Sequence, residues 1–84
     1  MDPLVMDQRR HPRSRTLKAA KILFNNHYSV IDCTVRNLSS SGACLQVASS
    51  LGIPDTFDVV LDGVTRPCRA VWRRERQLGV EFQM

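Results

Sequence analysis

The chain has 84 residues, 43% of them hydrophobic and 24% charged, and a formal net charge of +4. That length holds one domain with a modest core, and the apolar share is too high for a disordered chain. No run approaches the roughly 20 apolar residues that span a bilayer. The opening MDPLVMDQRR has an acid at position 2 and no long apolar run, unlike a secretory signal, so a soluble cytoplasmic domain with no membrane insertion is expected.

The charge is unevenly placed. Residues 1–21 carry six bases and two acids, whereas residues 22–84 carry six of each. The whole excess therefore lies at the N-terminal end, which points to an anion bound there and not to a generally basic surface. Its densest part is QRRHPRSR, residues 8–15, with four arginines, a histidine and a proline. Such a segment cannot bury itself, so residues 1–16 read as a flexible basic arm and residues 17–84 as the folded domain.

From about residue 17 the sequence alternates with period two. AAKILFNN sets Ala20, Ile22 and Phe24 on one side. VIDCTVRN sets Ile31, Cys33 and Val35 against Asp32, Thr34 and Arg36. GACLQV gives Ala43, Leu45 and Val47, and TFDVVLDG gives Phe57, Val59 and Leu61. CRAVWRR gives Cys68, Ala70 and Trp72, and QLGVEFQM gives Leu78, Val80 and Phe82. Alternation over four to eight residues marks half-buried strands. NNHY, SSSG, the longer SSLGIPD, the hairpin signal Asp62-Gly63 and RRERQ separate them. No window of ten residues has helical periodicity. Six short, mostly antiparallel strands best avoid open edges by closing into a small barrel, so the expected fold is all-β.

The cysteines Cys33, Cys44 and Cys68 are odd in number and widely spaced, with no Cys-x-x-Cys and no zinc spacing to a histidine. They read as small reduced residues, with no metal. His11 and His27 have no neighbouring serine, cysteine or acid arranged as nucleophile and base. Asp55, Asp58 and Asp62 sit at strand starts and turns, and no phosphate loop of the Walker type occurs. The sequence therefore offers no enzyme.

Two constellations remain. Arg9 and Arg13, four apart around Arg10, His11 and Pro12, point to the same side of an extended segment, roughly 13 Å apart, and Pro12 opposes a helix. Guanidinium groups bind phosphate oxygens or the O6/N7 edge of guanine in bidentate fashion. Farther on, Asn37 and Ser39 share a face at the end of a strand. If the register continues, they lie in line with the apolar face of Ile31, Cys33 and Val35. Gly42 permits a positive φ or a close backbone approach. Each constellation alone also has a plain structural reading, a solvated tail or a turn.

Together, in this order and spacing, Arg9-x-x-x-Arg13 and Asn37-x-Ser39-x-x-Gly42 resemble the PilZ domain, and the closing AVWRRERQLGVEF is similar to the last hairpin of that family. The resemblance runs from Arg9 to Phe82. It implies a six-stranded antiparallel barrel of the split-barrel type with a flexible N-terminal arm, which binds the bacterial second messenger cyclic di-GMP as a ligand, with no cofactor. By carry-over, Arg9 and Arg13, with Arg10, would grip phosphates and guanine Hoogsteen edges. Asn37 and Ser39 would hydrogen-bond a guanine or its phosphate, and Gly42 would keep the surface open. Trp72 would lie against a guanine, or else serve as a core or rim aromatic. The arm would close over the ligand and present a new surface to a downstream protein effector. Two departures stand out. Position 37 is Asn where many members have Asp, and the sequence stops just after the last strand, so no substantial C-terminal helix is expected.

Two rivals accompany this reading. A small nucleic-acid-binding barrel is disfavoured by the neutral balance of residues 22–84 and the 6% aromatic content. A PilZ-like protein-interaction module that binds no nucleotide would use the arm to contact a protein directly.

Overall fold

The computed structural model describes residues 14–83. Arg9, Arg10 and Arg13 lie outside the described residues. Six strands follow in chain order: β1 (Ser14–Phe24), β2 (Ser29–Leu38), β3 (Gly42–Gln46), β4 (Thr56–Leu61), β5 (Val64–Arg73) and β6 (Gln77–Phe82). They form a closed barrel in the order β1-β2-β3-β6-β5-β4, with β4 returning to β1. Every neighbouring pair is antiparallel, and no helix occurs among the described residues. The all-β barrel expected from the alternation is the fold. The first strand starts at Ser14, ahead of residue 17 where the alternation becomes readable.

Turn chemistry sets the register. Asn25, Asn26 and His27 all take positive φ between β1 and β2, a conformation that asparagine tolerates better than most residues. Asp62 and Gly63 do the same, at 54° and 78°, in the two-residue loop between β4 and β5, as a type I′ hairpin requires. The 47–55 connection closes one end of the barrel. Val47 N–H donates to the Arg76 carbonyl, Ser50 N–H to that of Glu75, and the buried Ser50 hydroxyl to that of Arg74 at 2.6 Å. Arg73 spans the same end, donating to the Ser50 carbonyl at 2.8 Å and pairing with Asp55.

The interior is filled by the residues that alternation places there: Ala20, Ile22, Cys33, Val35, Leu45, Val47, Phe57, Val59, Cys68, Leu78 and Val80, joined by Ile53 from the connection. Ile22, Val35, Leu45 and Leu78 are wholly inaccessible. Truncating such a side chain to alanine typically costs about 2–5 kcal/mol, because a closed barrel cannot collapse around the hole.

The strand register shifts at three places, one of them between Arg15 and Lys18 of β1, and the other two shape the outer surface. In β2, Val35 faces Leu45 while Asn37 faces Cys44, so Arg36 is an extra residue. In β5, Ala70 faces Val80 while Trp72 faces Gly79, so Val71 is extra. Each is a β-bulge, which reverses the facing of everything beyond it. Asn37 and Trp72 were expected on the apolar side of their strands; both lie on the outside. The physical reason differs at each. An inward Asn37 would bury an amide without a partner, and the bulge sends Leu38 inward in its place. An inward Trp72 would overfill an interior already packed by Leu45, Val35 and Leu78.

Candidate ligand-binding groove

The two bulges assemble one outer face from β2, β3, β6 and β5. A cross-strand row runs Asn37, Cys44, Gly79, Trp72. Directly opposite residues share a face in an antiparallel sheet. A second outward row runs Gly42, Glu81, Arg69, with Ser39 N–H donating to the Gly42 carbonyl at 2.9 Å. Between them, Leu38, Ala43, Val80 and Ala70 point into the barrel. The outer rows enclose an open groove of about 650 Å³, lined among others by Asn37, Ser39, Cys44, Trp72 and Glu81.

Small residues make the floor flat. A Cβ on Gly79 would collide with the Trp72 indole, so the ring lies directly over this glycine. Arg74 places its guanidinium 5.4 Å from the centre of the same ring, a cation–π distance. At the other end Arg66 stands 5.0 Å from the centre of the Phe82 ring, and both residues line the groove. Glu81 is neutralised locally, since Arg69 donates to its two carboxylate oxygens at 3.0 and 3.1 Å.

Ser39 has a structural duty. Its Oγ accepts from the Ser41 and Gly42 amides, each at 3.3 Å, and lies 3.3 Å from the Ser41 hydroxyl. It thereby shapes the turn from β2 to β3, as serine often does in turns. These bonds are long enough for the hydroxyl to exchange them for a ligand. Gly42 does not take a positive φ. Its missing side chain admits the Val80 carbonyl of β6, with which any Cβ would collide. The close approach expected at Gly42 is thus to its own neighbouring strand.

The backbone also fixes where the segment before β1 joins. Ser14 pairs with Leu38 and Arg15 with Asn37, so the chain enters the barrel beside the Asn37–Ser39 end of the groove. His27 lies at the opposite end of β1 and β2, bound to Asp58 at 2.7 Å. Arg66, Arg74, Cys44 and Glu81 line or flank the groove without having been singled out in the sequence. The doublet Arg36-Asn37, two polar residues followed by an inward Leu38, was the available signal for the bulge that exposes this face. Among the described residues, no cluster of three or more His, Cys, Asp or Glu could hold a metal ion.

Comparison with known proteins agrees with this geometry. Residues 7–84 match the family profile of the PilZ domain. The chain belongs to the PilZ family. This is a family associated with cyclic di-GMP binding, and its domains are generally non-catalytic receptors. The fold is similar to a crystal structure of the PilZ domain of CeSA from a cellulose synthesizing bacterium, with a TM-score of 0.66 and 15% identity over 87% of this chain and 81% of that one. A search of curated protein sequences finds no match. The matched range of the PilZ domain contains both Arg9-x-x-x-Arg13 and Asn37-x-Ser39-x-x-Gly42.

Proposed function

We propose that this PilZ domain is a non-enzymatic, cytoplasmic receptor for cyclic di-GMP, with the outer groove as its binding surface. Arg9 and Arg13, with Arg10, grip the phosphates and guanine Hoogsteen edges, while Asn37 and Ser39 hydrogen-bond a guanine or its adjoining phosphate. Trp72, laid flat over Gly79, offers its ring to a guanine. On binding, the arm closes over the groove and creates a composite surface for a partner protein.

The observation that carries this reading is the pairing of Ser14 with Leu38 and Arg15 with Asn37. Arg13 directly precedes that point, and Arg9 is five residues before Ser14. At about 3.3–3.6 Å per residue, the Arg9 backbone can reach up to roughly 17 Å from the Ser14 position, far enough to cross the groove. Ordering the arm costs on the order of 1–2 kcal/mol per residue. Charge-assisted bonds at about 1.5–3 kcal/mol each offset that when several form together.

Calorimetry with cyclic di-GMP on the wild type and on Arg9→Ala/Arg13→Ala tests the reading. The wild type binds, and the double variant loses at least ~3 kcal/mol, the value of two charged bonds. Equal heats from the two proteins would remove these arginines from the site.

A further inference from the structure

The charges of the described residues are not spread at random. Lys18 pairs with Asp62, Lys21 with Asp32, His27 with Asp58, Arg69 with Glu81 and Arg73 with Asp55. Among the described residues, Arg36, Arg66, Arg74 and Arg76 take part in none of these ion pairs; Arg66 lines the groove against the Phe82 ring, and the other three line one shallow depression with Gln46, Gln77 and Glu75. Arg36 is the bulged residue of β2, and its guanidinium is steadied by the Gln46 side chain at 2.7 Å. Arg74 and Arg76 come from the turn between β5 and β6. Two distant segments thus bring three cations together against a single acid, Glu75.

Apolar surface adjoins this cluster. Val71, the other bulged residue, is 51% exposed, and Trp72 is 42% exposed beneath Arg74. Exposed tryptophan beside arginine is the composition of interaction hot spots. We propose that Arg36, Arg74 and Arg76, with Val71 and Trp72 at their edge, form a docking surface for an acidic segment of a partner protein that also carries apolar side chains. The charge is concentrated in one depression and bordered by apolar groups, which fits a short acidic and apolar peptide. A nucleic acid wants a longer track of cations to follow its phosphates, and the largely paired charges elsewhere on the barrel, with Arg66 standing apart over the Phe82 ring, do not supply one. Arg74 joins this surface to the groove, since it touches the Trp72 ring that lines it. The inference rests on the receptor reading only in taking the partner to be a protein.

The test is fluorescence anisotropy with the full chain and three labelled probes: a twelve-residue peptide alternating Glu and Leu, its Gln/Leu counterpart, and a twelve-nucleotide thymidine oligomer. Each is titrated with and without cyclic di-GMP, with nucleotide binding followed separately by calorimetry. The Glu/Leu peptide is expected to bind at least tenfold more tightly than the other two. Arg74→Glu/Arg76→Glu is expected to weaken it about tenfold or more, while Lys18→Glu, on β1, leaves it unchanged. Circular dichroism confirms that each variant is folded. Failure of the Glu/Leu peptide to bind, equal binding of the Glu and Gln peptides, an unaffected double variant, or tighter binding of the oligonucleotide would each overturn the proposal. Peptide binding without nucleotide binding would sink the receptor reading and leave this surface standing.

Discussion

Trp72 lies across Gly79 on the outside of the barrel, its indole occupying the space where any other residue at 79 would carry a Cβ. Two neighbouring strands thus cooperate in one device: β6 omits a side chain, and β5 lays an aromatic ring in the gap. Gly79→Ala must push the ring aside, and the ring cannot turn inward because Leu78 and Val80 already fill the interior. The substitution is expected to cost about 1–3 kcal/mol, as overpacking does. Trp72 is the only tryptophan, so its emission should shift to the red as the ring moves into water. Unchanged emission and unchanged urea stability would show that the ring does not rest on Gly79.

Gly42 answers to a harder neighbour. The atom that a Cβ would meet is the Val80 carbonyl oxygen, part of the β6 backbone. A side chain can swing away, whereas a paired strand can move only by breaking its ladder. Gly42→Ala is therefore expected to destabilise more than Gly79→Ala, with loss of the Gly42–Glu81 pairing. Amide hydrogen exchange checks this: the Phe82 N–H, bonded to the Ser41 carbonyl at 2.8 Å, should lose protection well before the amides of β1. A uniform loss across the barrel would point to a general defect instead.

The residues that fill this barrel were readable from period two alone, because each alternating apolar residue from Ala20 to Val80 had one side to go to. Asp62-Gly63 and the Asn25–Tyr28 turn were equally plain, since few residues accept positive φ. The faces of Asn37 and Trp72 were not. A bulge is a long-range bargain between a strand and its neighbour, struck where Arg36 and Val71 are left without partners, and local alternation extrapolates straight through it. The role of Gly42 in strand pairing was hidden for the same reason, since it depends on β6, far along the chain. The motif spacing named the family correctly because it depends on which residues are present and not on which way they face.

The turn between β1 and β2 stores strain that can be relieved. Asn25, Asn26 and His27 hold φ of 57°, 55° and 67° in succession, and a residue with a Cβ is disfavoured there by roughly 1 kcal/mol or more. Asn26→Gly is expected to stabilise the barrel by about 0.5–1 kcal/mol, less the entropy that glycine adds to the unfolded chain. Gly63→Ala, at φ 78°, should do the reverse by a similar amount. Urea midpoints measured on both variants test the pair. Destabilisation by Asn26→Gly would mean that side-chain contacts of Asn26 outweigh its backbone strain.

The three thiols divide by position. Cys33 and Cys68 point into the barrel, and burial, reinforced by Asp32 near Cys33 and by Asp58 near Cys68, pushes each up to about 11. Cys44 faces the groove and is half-buried. At pH 8 a disulfide reagent should therefore modify one thiol quickly and the other two only after urea is added. Cyclic di-GMP bound in the groove should slow that first reaction, whereas a ligand bound elsewhere would leave it unchanged. The raised values also fix a sign for stability. A thiol with an ordinary value near 9 when unfolded and about 11 when folded favours the barrel fully below pH 9. That advantage is lost as pH rises toward 11, at about 1.4 kcal/mol per pH unit for each thiol. The comparison that isolates the two thiols is with Cys33→Ala/Cys68→Ala. The double variant starts less stable because of its smaller core, but its stability should fall less steeply between pH 9 and 11. Parallel slopes for the two proteins would mean that both thiols already reach water in the folded barrel.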